Sequence, residues 1–114
     1  MARLPNAEKA IIEARKLQGY ILSSTHPVGR FKASVFQKLG YSADNWEAFE
    51  QSLRELILTQ SALQVEESQY GKKFLVEGPF AGLSGRTMKI VTIWVILKEE
   101  SVPRFVTAYP GEMR

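Results

Sequence analysis

The 114-residue sequence contains no cysteine, so a disulfide framework, a thiol nucleophile and a thiolate metal site are all closed to it. It has a single histidine, His26, which rules out a two-histidine acid–base pair and any histidine-rich metal centre. No dense cluster of Asp and Glu replaces them, and no metal or other cofactor is expected. The longest apolar run, Ile90 to Leu97, is far shorter than a bilayer span and is interrupted by Thr92. The first residues, Met1 to Asn6, lack the apolar core of a signal peptide. A membrane partner is therefore not expected, and the default location is the cytoplasm, unless the domain is the cargo of a longer secreted protein. The glycines of Gly78 to Gly85 lack the lysine and following helix of a phosphate-cradling loop. No serine occupies a nucleophile-elbow context, which removes a Ser-His-Asp triad.

What is present fits one folded domain spanning residues 1–114, large enough for one hydrophobic core and too small for two. Fifteen Lys and Arg against twelve Asp and Glu give a net charge of +3, a modest tilt towards anionic partners such as nucleic acid. Ile11, Ala14, Leu17, Tyr20 and Ile21 recur at helical spacing, so a first amphipathic helix ends near Leu22, with Ala10 to Ile12 either its start or a short extended piece. A second helix is predicted from about Gly29 to Leu39, with Phe31, Val35, Phe36 and Leu39 on its apolar side and Gly40 as its left-handed stop. Asp44 and Glu47 match a capping box for a third helix, whose buried face is Trp46, Phe49, Leu53, Leu56 and Ile57.

After residue 63 the period shortens to two. Strands are expected at Gln64 to Glu67, Lys72 to Pro79, Arg86 to Leu97 and Pro103 to Tyr109. The third of these is apolar on both faces, which marks a central strand covered on both sides or lying at a dimer contact. The fold class is α+β, with about three N-terminal helices packed on a C-terminal antiparallel sheet of three to four strands.

Chemistry converges on Thr25 to Lys32. His26 can move protons near neutral pH. If Gly29 to Phe31 open a helix, their free amides favour an anion, Arg30 adds a bidentate donor and Lys32 a point charge. The competing view is that His26-Pro27 is a loop corner and that Arg30 and Lys32 are solvated surface. Thr92 interrupts the central strand; either its hydroxyl bonds locally or it points at a substrate together with Thr107. Register decides between them, because a pairing of 92 opposite 107 puts both on one face and a one-residue shift separates them. Trp94 reads as core, whereas Tyr109, beside Pro110 at a strand end, is the better exposed group for stacking on a base.

Four stretches carry a resemblance: Leu4 to Ala7; Lys16-Leu17 with Tyr20 to Leu22; His26 to Arg30 with Lys32-Ala33; and Val91 to Trp94 with Val106 to Pro110. They resemble a bacterial domain family of unknown function that occurs as small stand-alone proteins and at the C-terminal ends of polymorphic toxins. Domains in that position are often ribonucleases of the barnase, EndoU, colicin and RelE type, which place helices before a small antiparallel sheet. Such enzymes cleave RNA without metal, using the 2′-hydroxyl as nucleophile. Carried onto this sequence, the resemblance implies His26, Arg30, Lys32, Thr92 and Thr107 as catalytic positions, beside Tyr109, whose place at the strand end makes it the substrate-binding candidate. It also implies RNA as substrate and a small cognate antitoxin or immunity protein as partner. The alternative is a non-catalytic module that binds protein or nucleic acid, for which a homodimer through the sheet would speak.

Overall fold

The computed structural model describes residues 2–23, 25–27 and 29–111, and the backbone alone for residues 29–31. Its helices precede its sheet, as the change of period requires. The helices are α1 (residues 14–21), α2 (Gly29–Lys38) and α3 (Trp46–Thr59), with short 3-10 turns at Ala7–Lys9 and Ala43–Asn45. The strands are β1 (Ala62–Ser68), β2 (Gly71–Ala81), β3 (Thr87–Leu97) and β4 (Arg104–Pro110). They form one antiparallel sheet in the order β1-β2-β3-β4, which makes β3 internal and β4 an edge.

One face of the sheet meets the helices. Phe74, Val76 and Phe80 of β2, Ile90 and Trp94 of β3, and Phe105 and Ala108 of β4 are all buried there. Against them α3 sets Phe49, Leu53, Leu56 and Ile57, the stripe that three- and four-residue spacing predicts. Phe49 lies edge-on to Phe36 of α2 and to Tyr41, with ring centroids 4.9 and 5.2 Å apart. It is also 5.3 Å from Phe80. Such aromatic pairs contribute about 0.5–1.5 kcal/mol each beyond their burial, so α2 is pinned to both α3 and the sheet. The Tyr41 hydroxyl donates to the Ala81 carbonyl at 2.7 Å, closing the same junction from its polar side.

Helix α2 ends where expected. Gly40 takes a φ of 94°, and Tyr41 N–H bonds back to the Phe36 carbonyl at 3.0 Å, a left-handed stop that glycine adopts without the steric cost of a Cβ. The cap before α3 is displaced from the predicted Asp44 and Glu47. Asn45 Oδ1 accepts the Ser42 N–H at 2.8 Å, so the Ala43–Asn45 turn, with Ser42 as its N-cap, is capped first and α3 follows directly from it.

The first helix starts later than its apolar spacing allows. Residues 10–13 are extended, and Ile11 forms a parallel bridge with Arg104: Ile11 N–H donates to Pro103 O and Phe105 N–H to Ile11 O, both at 2.9 Å. At the other side Ala62 N–H donates to Ala2 O at 2.8 Å. The N-terminal segment thus crosses from β1 to β4 with Leu4, Ala7, Ala10 and Ile12 buried beneath it. Helix α1 follows as one α turn, Ala14–Lys16, continued by a π-helix, Leu17–Ile21.

Candidate functional site

The outer edge of β4 is where the N-terminal helices bring their polar groups. The register shifts between Ile93 and Trp94, which pair with Thr107 and Phe105, so Val106 is an extra residue on β4. A bulge of this kind bends an edge strand and re-aims its side chains. Beside it, Lys32 sits four residues before Phe36, at the margin of the buried stripe of α2. Its Nζ reaches β4 and donates to Thr107 Oγ1 at 2.8 Å.

The same ammonium donates to Tyr20 Oη at 2.7 Å and lies 5.0 Å from the centre of the Tyr20 ring. Tyr20 Oη and Thr107 Oγ1 are themselves 3.5 Å apart. Tyr20 belongs to the π segment of α1, whose wider turn is set by the Leu22 N–H to Leu17 O bond of 2.8 Å; such segments recur at functional sites. Four residues earlier, Lys16 Nζ donates to the Phe105 carbonyl at 2.7 Å, which ties α1 to the bulged stretch of β4.

His26 joins through the aromatic ring. Its imidazole meets Tyr20 edge-on, centroid to centroid 4.9 Å, at an interplanar angle of 65°. The loop that carries it is held by Ser23, whose Oγ accepts the N–H groups of Thr25 and His26 at 3.3 and 3.2 Å. Short polar side chains fold a chain in this way before a proline.

Charges in the cluster act on the phenol. Partial burial pushes the Tyr20 pKa up, but hydrogen bonds from Lys32 and Thr107 and the ammonium charge outweigh it. The phenol is held below its ordinary value. The arrangement therefore places a cation, an acidified phenol, a hydroxyl and an imidazole along one edge of the sheet, a set that can bind an anion and move protons beside it.

The sequence-predicted residues divide accordingly. Lys32 and Thr107 are brought together, and His26 adjoins them through the Tyr20 ring. Arg30 lies in the first turn of α2, and its side chain is outside the described residues, as is that of Phe31. Tyr109 is 37% exposed on β4, two residues from Thr107 and so on the same face of the strand.

Thr92 does not belong to the group. It is 0% exposed, its hydroxyl donates to the Val76 carbonyl at 2.7 Å and accepts the Trp94 Nε1–H at 2.8 Å. Its partner across the ladder is Ala108, one residue from Thr107. The hydroxyl satisfies a buried tryptophan donor, which is a structural task. Two members escaped the sequence reading, Tyr20 and Lys16, because helical spacing accounts for Tyr20 as an apolar position and Lys16 has no periodicity or spacing of its own that marks it. The available signal was their place in the motif stretches Lys16-Leu17 and Tyr20 to Leu22.

Fold and site together define a small α+β domain with a cationic, proton-bearing cluster at the edge of its sheet. The chain belongs to the family Domain of unknown function (DUF6883), matched over residues 3–112. No curated protein matches it. Among solved structures it is similar to a chain of a contact-dependent growth inhibition toxin–immunity protein complex from Klebsiella pneumoniae 342, at a TM-score of 0.70 and 22% identity. The likeness covers 89% of this chain and 99% of that one, and it is a likeness of fold.

Proposed function

We propose that this chain is a metal-independent ribonuclease-like toxin domain whose site is the cluster of His26, Lys32, Thr107 and Tyr20 on β4. The observation that carries the reading is the bridge from Lys32 to Tyr20 and Thr107 with His26 packed on the Tyr20 ring. A histidine loop and a sheet hydroxyl far apart in sequence both meet Tyr20, the one at its ring and the other beside its hydroxyl. The likeness to a chain from a toxin–immunity protein complex supports a place in such a system, and the proton-bearing cluster favours the toxin over the immunity protein.

In this reading Lys32, with Arg30, holds the scissile phosphate and offsets the charge that builds on it. A 2′-hydroxyl attacks the adjacent phosphorus, the P–O5′ bond breaks, and a 2′,3′-cyclic phosphate and a 5′-hydroxyl result. One group accepts the 2′-hydroxyl proton and another supplies a proton to the leaving oxygen. His26 is one of the two carriers and Tyr20 the other, while Thr107 fixes the geometry between them. Tyr109 offers a ring on which a neighbouring base stacks.

The experiment is incubation of RNA with the purified chain in EDTA, beside His26→Ala. Cleavage leaving cyclic phosphate ends, and reduced by at least about a hundredfold in the variant, is expected. No cleavage, or equal cleavage by both, sinks the reading. The second reading, a non-catalytic binding module, is favoured by the commitment of Thr92 to the core and by the open apolar row on the sheet described next. Intact RNA in this assay would leave it standing.

A further inference from the structure

The face of the sheet turned away from the helices carries one continuous row. Leu63, Leu75, Ile93 and Thr107 stand opposite one another across all four strands. Leu63 is 63% exposed, Leu75 and Ile93 are half-buried, and none of the three takes part in the core. Apolar side chains that run together across a whole sheet face, rather than standing singly, mark an interaction site.

The two ends of the row differ in charge. Along its apolar part the flanking charges are already matched within the chain, Lys73 to Glu66 at 3.4 Å and Lys89 to Glu77 at 3.6 Å. At the far end Thr107 is bonded to Lys32, and among the described residues no carboxylate lies within ion-pairing distance of Lys32. Apolar at one end and cationic at the other, the row has a direction.

We propose that this face receives a protein that covers Leu63, Leu75 and Ile93 with apolar side chains and brings a carboxylate to Lys32, closing the cluster as it docks. Naming that protein as a cognate inhibitor rests on the toxin reading above; the surface itself does not. A second copy of this chain is a poor occupant. A two-fold contact that sets the row on itself lays Lys32 of one copy either against the apolar end of its mate or, with the axis along the row, against its mate's Lys32, and in both cases the charge is desolvated without being paired. A nucleic acid is a poor occupant too, since its phosphates need cations along the track and, among the described residues of the row and its flanks, the unmatched one lies at the Thr107 end.

The test titrates the purified product of the open reading frame adjacent to this gene into the full-length chain by calorimetry. Ile93→Asp and Leu75→Asp are each expected to weaken binding at least about tenfold. Lys32→Met is expected to weaken it and to flatten its dependence on salt. Circular dichroism checks that the variants fold, and Leu63→Asp at the exposed end replaces either aspartate that does not. The proposal is overturned if the adjacent product fails to bind, if the row variants bind like the wild type, or if the chain alone sediments as a dimer that Ile93→Asp dissociates. Loss of RNA binding on Ile93→Asp overturns it as well, in favour of a nucleic-acid surface. Binding is read without turnover, so a chain that docks in this way but leaves RNA intact removes the catalytic reading and keeps this one. Cleavage without such binding does the reverse.

Discussion

Lys32 of α2 and Thr107 of β4 lie 75 residues apart in sequence, and Lys32 Nζ donates to Thr107 Oγ1 at 2.8 Å. The contact depends on parts of the core distant from it. Phe36, one helical turn after Lys32, is locked edge-to-face on Phe49, and this fixes how α2 presents its flank to the sheet. The Val106 bulge then sets where Thr107 stands on the edge strand. Hydrophobic packing thus positions a polar site that has no core residue in it.

Replacing Lys32 by methionine keeps the apolar stem and removes the ammonium. RNA cleavage, where the wild type shows it, is expected to fall about a hundredfold or more, as for loss of a charge aimed at a developing anion. The Tyr20 phenol is expected to titrate higher, because Lys32 supplies both a hydrogen bond and the charge that lower it. Ultraviolet titration of the tyrosines, wild type against variant, reads this without reference to any activity. An unchanged Tyr20 titration contradicts the geometry.

Thr92→Val separates a structural hydroxyl from a catalytic one. The substitution is nearly isosteric, but it leaves the Trp94 indole N–H and the Val76 carbonyl without their buried partner. Destabilisation of about 1–3 kcal/mol is expected from the unsatisfied groups, measured by urea unfolding. Cleavage per folded molecule is expected to stay at the wild-type level. A large drop in that rate with stability intact would return Thr92 to the site.

The fate of Thr92 also shows which features are legible in a sequence. Its β-branched shape and its place between Ile90 and Trp94 locate it on a strand, and α3 and β3 follow from period alone. The one-residue bulge at Val106 leaves no mark in composition or period, so the register that separates Thr92 from Thr107 emerges only in three dimensions. The late start of α1 has a similar cause. Ala10 to Ile12 are apolar in a way that suits either a helix or a strand, and the bridge to Arg104 decides for the strand. Lys32 stood out because it follows the sole histidine. Tyr20 was hidden because an aromatic at helical spacing looks like core until its hydroxyl is seen bonded to an ammonium.

Gly71 opens β2 at a φ of 145°, and a Cβ placed there would lie 2.2 Å from the Ile96 carbonyl oxygen. Backbone has no flexible end to move aside. Gly71→Ala is expected to destabilise the chain by about 2 kcal/mol or more, combining strain at this φ with loss of the Gly71–Leu97 pairing. Thermal unfolding measures it, and a neutral effect would show that the start of β2 is not held against β3 as described.

The last expectation concerns Tyr20 itself, where the sign of the pH effect can be worked through. The folded phenol titrates below its ordinary value, and in the unfolded chain it titrates at about 10. Between these two values the folded chain binds fewer protons than the unfolded one, so stability from this group rises with pH across that window. The contribution is complete above the unfolded value and is lost as pH falls through the folded one. Tyr20→Phe removes the titrating group but keeps the ring that packs on His26. The stability advantage of the wild type over this variant is therefore expected to widen as pH is raised towards 10, measured as the difference in urea midpoints at successive pH values. In the same variant RNA cleavage is expected to fall because one proton carrier is gone, while His26 keeps its aromatic neighbour. A difference in midpoints that stays constant with pH would mean that Lys32 and Thr107 do not stabilise the phenolate.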